Sequence, residues 1–286
     1  MAKEFRSSVN VTTSPMSPQL LTQNLFDRSY VDFKGSPIDE FTERLRTLNA
    51  LSPVPAAFDP YLGQLILLGA VAAVESYLRS MFRRCIALDP ICNAQAMKRE
   101  ISYAAAVHLQ PDLLPEALLE KISFASQENI ERACRDLLGI SEFPQSIKSV
   151  GADYGRICHL RHCAVHRFGK LGANNAVHLG LDEHFELLEK PLLLNYEALQ
   201  NAIAHATAFV RVFNSFLFNV LISRIPTTSF TGRYASDRTL FISYYSLFQD
   251  KKSVPRSPAP KDAYEVFIRE RAVFLASRAR QPRPAN

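Results

Sequence analysis

The sequence predicts an all-α protein, an up-and-down bundle of helices with extra segments at its N- and C-termini. Two long stretches, Tyr61 to Leu88 and Tyr196 to Ser223, repeat apolar residues at three- and four-residue steps, the spacing of a helix face packed on a core. Only 10 glycines occur in 286 residues, too few for a turn-rich all-β fold. With 47% apolar residues, the chain can bury a sizeable core.

Composition divides the chain into three predicted regions. Residues 1–36 are rich in Ser, Thr, Asn and Pro without a sustained period, so we expect an irregular arm. Residues 37–225 are predicted to form the helical domain, which opens with a short amphipathic helix after Pro37. Residues 226–286 are predicted to be an extension with a hairpin or arm, the flexible basic linker KKSVPRSPAPK and a terminal helix.

The region between the two long helices is predicted to hold shorter ones. One runs from about Asn93 to His108, and two follow in PDLLPEALLEKI and SQENIERACRDLLGI. The polar stretch after Gly172 predicts a connector with short strand or helix pieces. In the second long helix, His205 is predicted to be a satisfied core histidine rather than a ligand.

Titratable side chains concentrate in one stretch, Arg156 to Gly172, with the sequence RICHLRHCAVHRFGKLG. Such density of ionisable groups at one place is typical of a functional site. As a helix, this stretch has an apolar stripe that includes the charged Arg161. A guanidinium cannot lie unpaired against a core, so either a carboxylate meets it or this face is open to a partner chain or an anionic ligand. Gly169 and Gly172 predict that the helix stops just after His166, where the helix dipole favours a positive charge.

The first long helix offers a partner for that arginine. Its predicted buried face contains apolar residues together with Glu75 and Arg79: Leu65, Leu68, Ala72, Phe82 and Ile86. Glu75 either holds Arg161 by a charge-assisted hydrogen bond or pairs with Arg79 one turn along its own helix. Both alternatives fit the spacing.

Other chemistries fit the stretch less well. His162 and His166, with Cys158 or His159 one turn earlier, have the spacing of zinc ligands, but no second ligand cluster accompanies them, so no metal site is predicted. Cys163 beside His162 could serve as a nucleophile, yet adjacent helical positions point away from each other. No phosphate-binding glycine-rich loop is present.

The residues RHCAVHRFG resemble the signature of the HEPN superfamily, an arginine followed after four to six residues by a histidine at a helix end. The helix LILLGAVAAVESYLRSMFRRCI, with Glu75 followed by an aromatic residue, leucine and arginine, resembles the first long helix of the branch named RiboL-PSP-HEPN. The resemblance covers about Leu62 to Ser223. It implies a HEPN-type bundle acting as a metal-independent endoribonuclease, in which two protomers bring their arginines and histidines together across a twofold interface.

Under this resemblance, Arg161 and His166 are the motif pair, and His162 stands where the family often has asparagine. Attack of a ribose 2′-hydroxyl on the adjacent phosphate needs a base, an acid and a cation, which two histidines and an arginine can supply without a metal or other cofactor. Glu75 and Arg79 are assigned supporting roles, and Arg167 and Lys170 are assigned to substrate binding. The alternative function is a non-catalytic HEPN module that binds RNA or a protein.

The expected partners are RNA, a second copy of the chain in a homodimer, and an antitoxin or regulatory protein, in a toxin-like or antiviral-defence setting. A net charge of +5 is compatible with an anionic partner. Five scattered cysteines fit a reducing compartment, and no apolar run free of charge is long enough to span a bilayer, so a cytoplasmic protein without membrane contact is predicted.

Overall fold

A computed structural model describes residues 7–12, 19–52 and 55–279. The chain divides into two compact units, one ending at Lys34 and the other beginning at Gly35. In the described part of the first unit, the regular structure is a single 3-10 turn, Thr22–Asn24. The rest of the predicted arm, residues 1–6 and 13–18, lies outside the described residues.

The second unit is helical, which confirms the predicted all-α class. Its described residues contain no strand, only an isolated antiparallel bridge between Lys170 and Pro191. The helices, in chain order, are α1 Pro37–Ala50, α2 Pro60–Leu88, α3 Pro90–Ala96, α4 Tyr103–His108, α5 Leu114–Leu119, α6 Gln127–Ala133, α7 Gln145–Arg167, α8 Ala173–His184, α9 Tyr196–Arg224, α10 Tyr234–Phe248 and α11 Pro260–Ala279. A π-helical turn, Cys134–Leu138, continues α6.

Short polar side chains fix where several helices begin. The Ser36 hydroxyl accepts a hydrogen bond from the Asp39 backbone N–H at the start of α1. Asp59 and Asn195 cap the two long helices α2 and α9 in the same way. Each cap satisfies a backbone donor that the helix leaves unpaired and contributes about 1 kcal/mol.

The core lies where α2, α7 and α9 pack against one another, with α1 and α10 added on the side of α2 and α9. The rings of Tyr154 on α7 and Phe209 on α9 stack with centroids 4.8 Å apart. Two buried polar side chains of the core are paired: the Tyr77 hydroxyl donates to Asn214 over 3.2 Å, and the Asn214 amide donates to the Phe248 carbonyl over 2.8 Å. These bonds join α2, α9 and α10 inside the core.

The predicted buried face of α2 is partly wrong. Phe82 and Ile86 are buried, but Leu65 is 63% exposed and Ala72 is also exposed. In the N-terminal half of the helix, the buried positions instead include Ile66, Leu67, Val71 and Val74. Because this half of α2 is apolar on nearly every side, its periodicity does not select which face meets the core.

The C-terminal extension is more ordered than its composition indicates. The segment predicted to form a hairpin or arm is helix α10, which packs on α2 and α9. The linker predicted to be flexible is held in place, because the backbone N–H groups of Lys251 and Lys252 donate to Asp39 over 2.7 and 3.1 Å. A buried carboxylate, invisible to a local composition pattern, therefore anchors this segment to α1.

Two further expectations differ from the structure. The helix predicted from about Asn93 to His108 is divided into α3 and α4 by residues 97–102. His205, predicted to be a core histidine, is exposed on α9, with its Nδ1 3.5 Å from a carboxylate oxygen of Asp153.

The helices α2 and α9 are long and apolar enough to cross a membrane by length and composition. Within the fold, 61% of the most apolar window of α2 and 44% of that of α9 is buried inside the protein. Both helices contribute side chains to the shared core.

Candidate functional site

The C-terminal end of α7 carries most of the residues that the sequence singled out. The helix ends at Arg167, and Phe168 adopts the left-handed conformation with φ 53° and ψ 43°. The N–H groups of Phe168 and Gly169 both donate to the Cys163 carbonyl, the second over 2.9 Å. The two hydrogen bonds satisfy one carbonyl of the last turn. The helix therefore ends within one residue of the predicted stop after His166.

The chain after α7 pairs with the segment before α9. The Leu171 N–H donates to Lys190 over 3.0 Å, the Glu189 N–H donates back to Leu171 over 2.9 Å, and Leu192 donates to Gly169 over 2.8 Å. A guanidinium nitrogen of Arg167 lies 2.7 and 2.8 Å from the two carboxylate oxygens of Glu189. Arg167, assigned to substrate binding from the sequence, is thus already engaged by a carboxylate, whereas the Lys170 side chain is exposed.

Arg161 lies half-buried on α7. Among the described residues, no carboxylate or carbonyl forms an ion pair or hydrogen bond with its guanidinium. Its charge acts on Tyr154, Cys158 and His162, and the charge of Glu75 acts on the same three groups. Arg161 and Glu75 therefore share one neighbourhood between α2 and α7 without forming an ion pair.

Neither of the two pairings predicted for Glu75 is formed. A Glu75 carboxylate oxygen accepts a hydrogen bond from the Phe124 backbone N–H over 3.2 Å. Arg79 donates to the carbonyls of Leu119 and Ile122, both over 2.7 Å, and its guanidinium lies 5.7 Å from the centre of the Phe124 ring. Both side chains thus hold the segment after α5 against α2, which is a structural role.

Four histidines form a row along the outer flank of α7 and onto α8. The ring centroids of His166 and His162 are 6.0 Å apart, as are those of His162 and His159. The His159 ring then stacks on His178 of α8 with centroids 4.5 Å apart. The charge of Arg161 acts on His162, so one permanent cation lies near this ring of the row.

Burial lowers the pKa of His162 below its ordinary value. Nearby positive charge on Arg161, His159 and His166 lowers the pKa further, and the carboxylate of Glu75 opposes this only in part. The imidazole of His162 is therefore neutral at pH 7 and able to accept a proton.

Cys163 is not placed to act as a nucleophile. It is 2% exposed, and the Asn175 amide donates to its sulfur over 3.4 Å. Burial raises the pKa of the Cys163 thiol, which keeps it protonated and unreactive. Metal ligation also lacks a suitable geometry, since nowhere in the described ranges do three or more His, Cys, Asp or Glu side chains converge on one point.

The sequence interpretation missed Asn175, His178 and Tyr61. Asn175 lies 3.1 Å from His159 Nδ1 and joins α8 to α7. In the sequence ANNAVH, Asn175 and His178 are three residues apart, and this spacing could have placed both on one helix face. The Tyr61 ring contacts Phe168 with centroids 5.8 Å apart, so the start of α2 meets the end of α7.

Exposed apolar side chains lie on α2 and at the C-terminal end of α7. Four of them are between 45% and 77% exposed: Tyr61, Leu65, Val165 and Phe168. A concentration of exposed apolar side chains is typical of a surface that another molecule covers.

Comparison with known proteins gives no relative for this chain. No family model, curated protein or solved structure matches it at a significant level.

Proposed function

We propose that the protein is a metal-independent endoribonuclease of HEPN type, with Arg161, His162 and His166 at its active site. The observation that carries this proposal is the half-buried guanidinium of Arg161, which has no intramolecular partner among the described residues and lies beside a neutral imidazole. A cation held without a carboxylate is available for an anionic ligand. Its planar fork of donors suits two phosphate oxygens.

The histidines supply the proton transfers of RNA cleavage. His162, with its lowered pKa, removes the proton of the ribose 2′-hydroxyl, whose oxygen attacks the adjacent phosphorus. His166, one turn further along α7, protonates the 5′-oxygen as the bond from phosphorus to that oxygen breaks. The products are a 2′,3′-cyclic phosphate and a 5′-hydroxyl, and Arg161 stabilises the charge that develops on the phosphoryl oxygens.

A second copy of the chain completes the site in this proposal. The apolar residues Tyr61, Leu65 and Phe168 are exposed, and their burial in a twofold interface supplies a driving force for association. Such an interface also brings two arginines and two pairs of histidines to one groove. Lys170, exposed beside that groove, is available for phosphate contacts outside the cleavage point.

The decisive experiment incubates the purified protein with single-stranded RNA in EDTA, and in parallel with the same strand carrying 2′-deoxyribose. Cleavage of the RNA with a 2′,3′-cyclic phosphate product, and an intact deoxy strand, are expected. Arg161→Ala and His166→Ala should each lower the rate by about 100-fold or more, as expected for loss of a charge-stabilising or proton-transferring group.

Matched controls separate chemistry from folding. Arg156→Ala removes an exposed arginine of the same helix, and His205→Ala removes an exposed histidine of α9. Both should cleave as fast as the unaltered protein. Three outcomes would each reject the ribonuclease: cleavage of the deoxy strand, full activity in the Arg161 or His166 variant, or RNA that is bound but not cut. The last outcome would support a non-catalytic binding module.

A further inference from the structure

A half-open cavity of about 220 Å³ lies between α7, α8 and the paired segments that follow each of them. The cavity is separate from the proposed cleavage site, because Leu160 and Cys163 line it from α7, whereas Arg161, His162 and His166 do not. Its lining is mainly aliphatic, contributed by Leu160, Leu171, Leu179, Leu187, Leu192 and Leu193.

The cavity belongs to a small core of its own. Cys163, Leu171 and Ala176 are buried together, with Leu179 and Leu188 packed on them, apart from the main core of the bundle. So small a core holds α8 on α7 with few apolar contacts. A ligand that fills the space beside it adds contacts that the protein alone lacks.

Lys190 supplies the positive charge in the lining. His184 and Lys190 contribute to the wall, and no lining residue carries a carboxylate. Within the described chain, the Lys190 ammonium has no hydrogen-bond or ion-pair partner, and the adjacent Glu189 is bound by Arg167. His184 Nδ1 lies 2.8 Å from the Gly180 carbonyl, which can only accept, so Nδ1 carries a proton and Nε2 remains available.

We propose that this cavity binds a small monocarboxylic acid with an apolar body, its carboxylate at Lys190. An engineered aliphatic cavity of roughly 150 Å³ holds benzene, so a somewhat larger one accommodates an apolar body of about eight to ten non-hydrogen atoms. The Lys190 ammonium supplies a charge-assisted hydrogen bond to the carboxylate. An apolar pocket with few convergent polar groups is the usual form of a small-molecule site.

The test is a calorimetric titration of the full chain at neutral pH without RNA, with octanoate, octan-1-ol and butyrate as probes. Octanoate should bind saturably. Its affinity should be about tenfold or more higher than that of octan-1-ol, which lacks the charge, and of butyrate, which lacks most of the apolar tail. Lys190→Gln should lower the affinity for octanoate by about fivefold or more. Its affinity for octan-1-ol should stay within about twofold of that of the unaltered protein.

Two further variants make the result specific to this cavity. Leu179→Phe fills the space and should remove the binding of both eight-carbon probes, with circular dichroism verifying the fold. Lys148→Gln, which removes an exposed lysine near the start of α7, should bind like the unaltered protein. Absence of saturable octanoate binding, equal affinities for octanoate and octan-1-ol, or an unchanged Lys190→Gln variant would each overturn the proposal.

Discussion

The imidazole rings of His159 on α7 and His178 on α8 stack with centroids 4.5 Å apart and planes inclined by 11°. Asn175, on the same face of α8, lies 3.1 Å from the His159 Nδ1 atom. These contacts position α8 against α7 outside the small core around Cys163 and extend the row of histidines from His166 to α8. Ionisation along this row therefore affects both the fold and the proposed chemistry.

The lowered pKa of His162 predicts a loss of stability in acid. The unfolded chain takes up a proton at an ordinary pKa of about 6.5, whereas the folded protein takes it up only at lower pH. Stability is therefore complete above about pH 6.5 and is lost as the pH falls toward the folded pKa. The groups that face His162 are Arg161, His159, His166 and Glu75. Urea unfolding between about pH 7.5 and 5.5 should show a falling midpoint, and the fall should be smaller in His162→Asn.

His205→Asn serves as the control for this measurement. It removes an exposed histidine from α9, outside the row on α7. Its pH dependence should follow that of the unaltered protein. If the urea midpoint falls with pH equally in His162→Asn and in the unaltered protein, the pH dependence of stability does not come from the lowered pKa of His162.

Self-association is predicted to depend on the exposed apolar face of α2. Leu65 is 63% exposed on α2, so Leu65→Glu places a charge in the proposed twofold interface and should yield monomers in analytical ultracentrifugation. The rate of RNA cleavage should fall together with the fraction of dimer. Val273→Glu, which alters an exposed apolar residue of α11, should leave the oligomeric state unchanged. A monomeric unaltered protein, or a Leu65→Glu variant that still dimerises, would refute this interface.

Arg79 is predicted to stabilise the fold rather than to take part in cleavage. Its guanidinium donates to two carbonyls over 2.7 Å each, and Arg79→Met leaves both without their donor. The free energy of unfolding should fall by about 2 to 4 kcal/mol, while the cleavage rate per folded molecule stays the same. Arg135→Met removes an i,i+4 ion pair elsewhere in the protein and should lower the free energy of unfolding by less than about 1 kcal/mol. A loss of cleavage at full stability would instead place Arg79 in the active site.

Asp237 is predicted to hold α11 and the segment before α10 on α10. This buried carboxylate accepts hydrogen bonds from the Tyr264 hydroxyl over 2.5 Å and from the N–H groups of Thr231 and Gly232, each over 3.0 Å. Burial raises the pKa of Asp237, but these hydrogen bonds outweigh it and hold the pKa below its ordinary value. The stabilisation is therefore present above the unfolded pKa of about 3.9 and is lost as the pH falls through the lower folded value.

Replacing that carboxylate should be costly near neutral pH. Asp237→Asn should lower the free energy of unfolding by about 2 to 3 kcal/mol in urea titrations, since it weakens several charge-assisted hydrogen bonds. Asp262→Asn, at an exposed site on α11, is the matched control and should change stability little. Equal stabilities of the two variants would show that Asp237 contributes no more than a surface carboxylate.

Part of the candidate site could be predicted from local sequence. The dense titratable stretch forms one helix, and its end near Gly169 follows from the glycine signal. The partner of Arg167 could not be predicted in this way, because Glu189 is 22 residues away and reaches it only through the backbone pairing after α7. The stacking of His178 on His159 likewise depends on how α8 docks.

The amino-acid sequence by itself determined the helical class, the two long apolar helices and the concentration of arginine and histidine at the end of α7, because periodicity and capping act over a few residues. Only the tertiary structure decided that Glu75 and Arg79 hold the segment after α5, that Leu65 faces outward and that Arg161 has no partner among the described residues. The physical reason is that ion pairs and buried faces depend on contacts between segments that are distant in sequence. In addition, a helix that is apolar on nearly every side can pack on a core in more than one orientation.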